Sequence, residues 1–362
     1  MTSSETLRDA WYVAAYTSEL EEKGMIATTL LGDPIVIYAK TDGSPVALED
    51  RCVHRLAPLS LGRVEGDHLR CMYHGMLFSA EGAALEIPGQ DLIPKRACVR
   101  SYPVVERSGW LWVWPGNPER ADEALVPPVI GMRHPDWFLH EGLLDYDASS
   151  DLIITNVIDL GHLTWVHRES FGADEAWAET VPTTSPIERG VRVTRWLREI
   201  PPIPPLGKAA DHERLDHWTT FDFFAPGVFH FYNAMYPVGT YDKYAGGEPD
   251  RADETLLYEH YTQQFVMPMT EQKSRYFFTW GPSTRVGNAE EGAIMREVNY
   301  QAFAEDQAII EAQQKIINLD PSRRPMPTVH DKAVTLYEGI VRKLVREQNA
   351  ALGAAPALEQ AG

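Results

Sequence analysis

Two short segments decide the fold of the first part of this chain, Arg51-Cys-Val-His-Arg55 and Cys71-Met-Tyr-His-Gly-Met76. Each combines one cysteine with one histidine, as C-x-H and then C-x-x-H. Thiolates and imidazoles that converge from two loops could hold either one zinc ion or a two-iron cluster. Zinc fingers pair cysteine with cysteine and histidine with histidine along the chain, whereas each loop here carries one cysteine and one histidine. The spacing therefore favours an iron–sulfur cluster held by Cys52, His54, Cys71 and His74.

The composition limits the classes of protein to which the chain can belong. Its 362 residues are 44% apolar and 23% charged, which suffices for a sizeable core. A formal net charge of −19 disfavours nucleic acid or an anionic membrane as a partner. Three cysteines are too few for a disulfide framework, and we expect Cys98, which lacks a matching histidine, to be a buried, inert thiol. No signal peptide or membrane-spanning apolar run is evident, which predicts a cytoplasmic protein.

Turn signals and changes of composition divide the chain into domains of an α+β protein. Short β-rich runs separated by turns fill 35–114, and Pro115-Gly-Asn-Pro118 is typical of a boundary. We expect an all-β domain at 1–118, a mixed domain at 119–345 and a flexible Ala/Gly-rich tail at 346–362. Within the mixed domain the patterns predict helices near 152–168 and 295–317, strands at 221–224 and 229–232, and an extended Pro-rich loop at 201–208.

A second group of metal-binding residue types lies in the segment Asn156-Val-Ile-Asp-Leu-Gly-His162-Leu-Thr-Trp-Val-His167. At about 100° per residue, Asp159 and His162 share one helix face, but His162 and His167 diverge by about 140°. We therefore expect the helix to bulge or end near 161–165 so that both imidazoles can reach one ion. Two histidines and a carboxylate form the metal site of non-haem Fe(II) oxygenases, whereas zincins need histidines four residues apart.

Together the two groups resemble the motifs of Rieske non-haem iron oxygenases. The resemblance implies an N-terminal all-β Rieske [2Fe–2S] domain and a catalytic domain whose antiparallel sheet, flanked by helices, carries one mononuclear Fe(II) per subunit. His162 and His167 match the family's two iron-ligating histidines. The family's third ligand is an aspartate on a later helix, which we assign to Asp306, with the adjacent Glu305 as the weaker candidate.

The resemblance also gives Asp159 a role between subunits. In the family the matching aspartate links a cluster-ligating histidine of one subunit to an iron-ligating histidine of the next. Carried over, His74 of one chain would bond to Asp159 of its neighbour, and Asp159 would bond to His162. This implies a ring-shaped oligomer, most simply a homotrimer. Asn156, one turn before Asp159, is expected to lie near the same site.

Within the family the chain most resembles the oxygenase components of vanillate O-demethylase and dicamba monooxygenase, notably at Asp9-Ala-Trp-Tyr-Val-Ala-Ala15 and Trp110-Leu-Trp-Val-Trp-Pro-Gly116. This subgroup hydroxylates the O-methyl group of methoxylated aromatic acids with O₂, which releases formaldehyde and a phenol. Aromatic ring cis-dihydroxylation, or hydroxylation of another aromatic or biaryl compound, remains the alternative for the same metals. From a different class, a Rieske-type electron carrier or a zinc-stabilised binding protein also remains open.

The chain contains no GxGxxG or GxxxxGK[ST] loop, so electrons from NADH or NADPH are expected through a separate ferredoxin or flavin–iron–sulfur reductase. Residues 35–118 carry nine Lys/Arg and nine Asp/Glu, so the net charge of −19 lies outside this segment. An acidic electron donor could therefore approach here, and the candidate contacts are Arg51, Arg55, Arg63 and Arg70.

The substrate pocket is the least specified part of the sequence. The aromatic residues of 200–290 suit a planar ring, with Tyr276 and Trp280 as candidates. His230 or Asn233 could orient a polar substituent, although on one strand they would face opposite sides. Arg275 or Arg285 could bind a carboxylate. The Pro-rich segment 201–207 and the loop 240–253 leave room for a larger, biaryl substrate.

Overall fold

The structure is a computed structural model that describes residues 6–203 and 207–354 of the chain. By its internal contacts the chain forms two compact units. The first comprises 1–128 with 267–271 and 344–362, and the second comprises 129–266 with 272–343. The first unit thus continues to Pro128, beyond the boundary expected at residue 118.

The first unit contains three small antiparallel sheets, of strand orders β1-β11-β10, β2-β3-β4-β9 and β5-β6-β7-β8. Its elements are β1 (Tyr12–Tyr16), α1 (Thr17–Lys23), β2 (Met25–Leu30), β3 (Asp33–Ala39), β4 (Pro45–Glu49), β5 (Arg63–Glu65), β6 (His68–Arg70), β7 (Leu77–Phe78), β8 (Ala84–Glu86), β9 (Ser101–Tyr102), β10 (Val104–Arg107) and β11 (Trp110–Val113). Tyr38, Leu48, Leu69 and Phe78 form its core, and the two motif cysteines pack in the same cluster. The cluster loops are therefore anchored in the core.

The second unit is built on a seven-stranded sheet of order β12-β18-β17-β16-β15-β14-β13. Its strands are β12 (His140–Tyr146), β13 (Thr183–Ile187), β14 (Gly190–Ile200), β15 (Leu215–Phe224), β16 (Val228–Pro237), β17 (Tyr258–Thr270) and β18 (Lys273–Pro282). The helices are α2 (Ser150–Ile158), α3 (Leu163–Val166), α4 (Ala176–Glu179), α5 (Thr240–Lys243), α6 (Ala289–Leu319) and α7 (Lys332–Ala354), whose last residues group with the first unit. Helix α6 packs against β18 and β12. This confirms the expected antiparallel sheet flanked by helices.

The expectation of a flexible tail from residue 346 is wrong for its first part, because α7 continues to Ala354. Gln348 is only 3% exposed. Its side-chain oxygen accepts the backbone N–H groups of Arg8 and Asp9, both at 2.7 Å, and its amide nitrogen donates to Thr6 O at 3.0 Å. These bonds tie the helix to the N-terminal segment, a contact of long sequence separation that composition cannot reveal. The rest of the tail, 355–362, lies outside the described residues.

Two other expectations for the second unit are met only in part. The helix expected at 152–168 is divided into α2, a 3-10 turn at Leu160–His162 and α3. Of the Pro-rich loop, 204–206 lie outside the described residues, and Gly207–Asp211 form a 3-10 turn.

None of the helices in the described ranges is long and apolar enough to cross a membrane.

Candidate metal centres and active-site pocket

The two Cys-His loops of the first unit have the same backbone architecture. In each loop the cysteine N–H donates to the carbonyl of the fifth residue after the cysteine. The N–H of the fourth residue after the cysteine donates to the cysteine carbonyl. The bonds are Cys52 N–H to Ala57 O (2.9 Å), Leu56 N–H to Cys52 O (2.9 Å), Cys71 N–H to Met76 O (2.8 Å) and Gly75 N–H to Cys71 O (3.0 Å). The two mixed motifs therefore fold as a matched pair of turns.

The fourth residue after each cysteine adopts a left-handed backbone conformation, with φ of 58° at Leu56 and 76° at Gly75. Glycine meets this requirement without strain at the second loop. A side chain there would also meet Pro88, since a Cβ at Gly75 would lie 3.0 Å from the proline Cγ. The turn that presents His74 thus depends on a residue with no side chain.

The four motif side chains differ in solvent exposure according to residue type. Cys52 and Cys71 are each only 2% exposed, whereas His54 and His74 lie at the surface with ring centroids 4.4 Å apart. Burial raises the pKa of the Cys52 thiol, and the neighbouring Cys71 adds to that shift. Desolvation lowers the pKa of His74, and the facing His54 adds to it. Two thiols on the inside and two imidazoles on the outside fit a two-iron cluster with Cys₂ on one iron and His₂ on the other.

Two expectations for this unit need correction. Cys98 is exposed instead of buried, whereas its neighbour Val99 packs into the core. Arg70, a candidate docking residue, has a side chain only 17% exposed and bonds to Glu65, Glu86 and the Gly75 carbonyl. Its guanidinium supports the second loop and is not available to a partner. Two other candidates form ion pairs at the surface, Arg51 with Glu49 (3.3 Å) and Arg63 with Glu65 (2.6 Å).

The segment of the second unit that carries two histidines breaks its helix, as the spacing predicts. Helix α2 ends at Ile158, and Asp159, in an extended conformation, caps the following 3-10 turn by accepting the Gly161 N–H at 2.9 Å. The break removes the 140° divergence of a regular helix. The His162 and His167 rings consequently approach each other, with centroids 5.2 Å apart.

The donor atoms of His162, His167 and Asp306 converge within 4.8 Å of one another. Asp306 Oδ1 lies 3.4 Å from His162 Nε2 and 3.3 Å from His167 Nε2, and among the described residues this buried oxygen has no hydrogen-bond partner. Burial alone would raise the pKa of Asp306, but the two facing imidazoles outweigh it and hold the pKa at about 2. The aspartate is therefore anionic at neutral pH, and the donor set fits a mononuclear Fe(II).

Asp306 is recognisable in retrospect from its place on α6. The buried side of this helix includes Met295, Asn299, Phe303 and Ile310, at the three- and four-residue spacing of an amphipathic helix. Asp306 lies in the same stripe and is 6% exposed. A carboxylate within an apolar stripe signals a site, because burying an unpaired charge is costly.

Each histidine uses its Nδ1 for a hydrogen bond and directs Nε2 towards Asp306. His162 Nδ1 donates to the backbone carbonyl of Asp159 at 2.6 Å, and His167 Nδ1 donates to Glu305 Oε2 at 2.9 Å. Both acceptors lack protons, so Nδ1 carries the hydrogen and Nε2 is left for a metal. The expected link from Asp159 to His162 therefore runs through the backbone carbonyl, because the Asp159 carboxylate caps the turn.

An open pocket with an empty volume of about 820 Å³ adjoins this metal site. One face of the sheet forms most of its wall, because alternate residues of β15 to β18 point into it. The residues that line it are Asn156, Val157, Leu160, His162, Leu163, His167, Phe171, Trp177, Ile203, His217, Phe221, Phe231, Asn233, Met235, His260, Thr262, Gln264, Tyr276, Trp280, Met295, Asn299, Phe303 and Asp306. Its aromatic lining suits an aromatic small molecule.

The structure places Asn156, Asn233, Tyr276 and Trp280 in the pocket wall, where their contact with a substrate stays a prediction. His230 is a correction: it is not among the described lining residues, because it lies on the opposite face of β16 from Asn233.

Neither arginine suggested for a carboxylate lines the pocket. Arg275 pairs with Asp145 at 2.7 Å, and Arg285 donates to the Arg251 and Asp253 carbonyls. None of the described lining residues is Lys or Arg.

Hydrogen-bond donors in the pocket come instead from neutral side chains, and the sequence had singled out Asn233 but not His260 or His217. The Trp280 indole N–H donates to His260 Nδ1 at 2.9 Å, so a neutral His260 must carry its hydrogen on Nε2. His217 Nε2 lies 3.1 Å from Asn233 Oδ1, which leaves the Asn233 NH₂ as a donor. Desolvation lowers the pKa of His217 and of His260 to about 3, so both rings are neutral at physiological pH. The signal in the sequence for these two histidines was their position beside strand-favouring aromatic residues, His217 before Trp218 and His260 before Tyr261.

Comparison with known proteins finds a matching family for each of the two parts of the chain. Residues 10–103 match the Rieske [2Fe-2S] domain family, and residues 146–347 match the vanillate O-demethylase oxygenase C-terminal domain family. With the two centres described above, the chain belongs to the Rieske non-haem iron oxygenases. It accordingly uses a Rieske [2Fe–2S] cluster and a mononuclear iron at His162, His167 and Asp306.

Particular relatives extend over nearly the whole chain. The iron–sulfur subunit of the toluene-4-sulfonate monooxygenase system of Comamonas testosteroni is 35% identical, over 97% of this chain and 99% of that protein. The vanillate O-demethylase oxygenase subunit of a Pseudomonas species is 31% identical, over 95% and 96%. The crystal structure of dicamba monooxygenase bound to 3,6-dichlorosalicylic acid superposes with a TM-score of 0.83 at 28% identity, over 96% of this chain and 99% of that one.

Proposed function

We propose that this chain is the terminal oxygenase component of a multicomponent monooxygenase that O-demethylates a methoxylated aromatic acid. The observation that carries the proposal is the His162–His167–Asp306 site at the wall of an aromatic pocket. Relatives named for vanillate and dicamba O-demethylation support it. In such a reaction one oxygen atom enters a C–H bond of the O-methyl group, and the resulting hemiacetal releases formaldehyde and leaves a phenol.

The protein side chains hold and orient the two metal groups. Cys52 and Cys71 would bind one iron of the cluster, His54 and His74 the other, and His162, His167 and Asp306 the mononuclear iron. Bound there, the cluster supplies single electrons, and the mononuclear iron supplies dioxygen activation. The buried walls of the pocket exclude water and hold the aromatic ring beside the metal site.

The acid group of the substrate would bind to neutral donors. His260 Nε2–H and the Asn233 NH₂ face a pocket whose described lining contains no cationic side chain. In a desolvated site such donors bind a carboxylate or sulfonate strongly, because charged acceptors strengthen hydrogen bonds.

Replacing His260 by Phe keeps the ring but removes the Nε2 donor. Because a hydrogen bond to a charged group contributes about 1.5–3 kcal/mol, we expect kcat/KM for the aromatic acid to fall roughly tenfold to hundredfold. The methyl ester of the same acid should be affected much less. The matched control is His230→Phe, which removes a buried histidine from the opposite face of the sheet. An equal loss for acid and ester would contradict the role of His260.

A second candidate reaction is hydroxylation of a methyl group on an aromatic sulfonate. It is favoured by two relatives at 35% and 36% identity, both named as toluene-4-sulfonate monooxygenase subunits. The pocket chemistry is the same, since a sulfonate is also an anionic acceptor.

The products distinguish the candidate reactions. With a surrogate reductase, methoxylated benzoates and toluene-4-sulfonate are supplied in turn, and oxygen uptake and products are measured. O-demethylation yields equal amounts of formaldehyde and phenol, whereas methyl hydroxylation yields a benzylic alcohol without formaldehyde. A cis-diol from either substrate would contradict monooxygenation and indicate ring dihydroxylation.

We propose that the working enzyme is a cytoplasmic homotrimer in which His74 of one subunit bonds to Asp159 of the next. Apolar side chains are exposed around the cluster loops, with Leu56 66% and Tyr73 60% exposed, and Trp165 beside the iron-binding histidines is 66% exposed. Exposed apolar patches of this kind are typical of interfaces. Sedimentation equilibrium tests the oligomer, and a monomeric, fully active enzyme would contradict it.

Electrons would arrive from NADH or NADPH through a separate ferredoxin or flavin–iron–sulfur reductase. Supporting this, the sequence has no dinucleotide-binding loop and the relatives are subunits of multicomponent systems. Because Arg70 is engaged within its own loop, Arg51, Arg55 and Arg63 remain the candidate contacts for the donor.

A further inference from the structure

Glu305 lies next to the iron ligand Asp306 on α6, yet its carboxylate faces away from the point where the three ligand atoms converge. Its Oε2 accepts His167 Nδ1–H at 2.9 Å and the Ser170 hydroxyl at 2.6 Å. The side chain is 22% exposed, and His167 is 2% exposed. Glu305 therefore contacts the far side of a buried imidazole whose Nε2 faces Asp306.

We propose that Glu305 is a positioning residue that orients His167 and makes it the stronger of the two histidine ligands. A carboxylate acceptor fixes the ring with Nε2 towards the metal and increases the electron density at that nitrogen. Ser170 holds the same carboxylate oxygen, so the Glu305 side chain is itself restrained.

The two histidines differ in this respect. His162 Nδ1 bonds to a neutral backbone carbonyl, that of Asp159, whereas His167 Nδ1 bonds to an anionic side chain. A backbone carbonyl cannot be removed by substitution, but Glu305 can. The site thus has one histidine whose basicity depends on a replaceable charge, and iron affinity should follow that charge.

The inference rests on the mononuclear iron site, and its test measures iron binding instead of turnover. Fe(II) is titrated into the iron-depleted site of the cluster-containing protein in competition with a chelator, for Glu305→Ala, Glu305→Gln and Ser170→Ala. Glu305→Ala should weaken Fe(II) binding about 10–100-fold. Glu305→Gln should recover only part of this loss, because the amide oxygen can accept the same two bonds but carries no negative charge. Ser170→Ala should lower the affinity less than Glu305→Ala does.

The matched control is Glu297→Gln, which makes the same chemical change on an exposed part of the same helix. Its affinity should equal that of the parent protein. Unchanged affinity in Glu305→Ala would overturn the inference, and equal losses in the Gln and Ala variants would overturn the role of the hydrogen bond in orienting His167. If Glu305→Ala does not fold, as seen by loss of its cooperative thermal unfolding, the Gln and Ser170→Ala variants test the inference: Fe(II) affinity equal to that of the parent protein in both would overturn it. His167→Ala that still binds iron would instead refute the iron site itself.

Discussion

Replacing His162 by Ala is expected to lower the iron content from about three to about two atoms per chain and to abolish turnover. The reason is that the mononuclear site has only three protein donors, and its two remaining donors, His167 Nε2 and Asp306 Oδ1, cannot retain Fe(II) at ordinary concentrations. The cluster ligands belong to the other compact unit, so the Rieske absorbance should persist unchanged. Iron analysis and the visible spectrum of the purified variant measure both effects.

The control is His134→Ala, which removes a partly exposed histidine of the same unit whose ring accepts the backbone N–H of nearby Asp136. It should retain all the iron and full activity. If His162→Ala lost the cluster as well, the two centres would not be separate, and if zinc replaced iron in the parent protein, the oxygenase assignment of the sites would fail.

Replacing Asp159 by Asn is expected to leave both metal centres loaded and to reduce turnover by about 10–100-fold or more, the cost typical of losing a residue that orients a metal ligand. Asparagine keeps an oxygen that can accept the Gly161 N–H, so the cap of the 3-10 turn survives. His162 is held by the backbone carbonyl of residue 159, which the substitution does not alter. What changes is the charge proposed to bond His74 of the neighbouring subunit.

The measurement is a single-turnover experiment in which the pre-reduced oxygenase is mixed with substrate and O₂ and cluster re-oxidation is followed in the visible spectrum. Re-oxidation should be slow in Asp159→Asn, while iron content matches the parent protein. Asp159→Ala serves as the comparison, because it also removes the cap and so should destabilise the turn by about 0.5–2 kcal/mol. Re-oxidation at the parent rate in Asp159→Asn would refute the bridging role.

Much of the site could be read from local spacing. The C-x-H and C-x-x-H segments carry all their ligands within two short turns. The positions of the ligands along the chain therefore already fix their arrangement in space. The broken helix between Asp159 and His167 also followed from spacing, since two histidines that diverge by about 140° on a regular helix cannot bind the same ion. These inferences succeeded because each depends on residues that are neighbours along the chain.

The errors concern residues whose contacts are set by how the chain folds back on itself. Arg70 appeared available for docking, but Glu65, Glu86 and the Gly75 carbonyl engage it. The tail appeared free, but Gln348 binds the backbone near Arg8. His230 was a candidate for the pocket, and strand direction placed it on the other face. Composition carries no information about such contacts.

The sequence by itself determined the class of metal groups, the order of the two domains and seven candidate ligands. Six of these follow from ligand type and spacing, which constrain coordination directly, and Asp306 follows from the resemblance to the family. Only the tertiary structure decided which atom of each ligand faces the metal site, which side of the sheet lines the pocket, and that the described pocket lining contains neutral donors such as His260 and no arginine. The physical reason is that hydrogen-bond partners and burial set tautomer, charge and direction, and these arise when strands and helices far apart in the chain pack together.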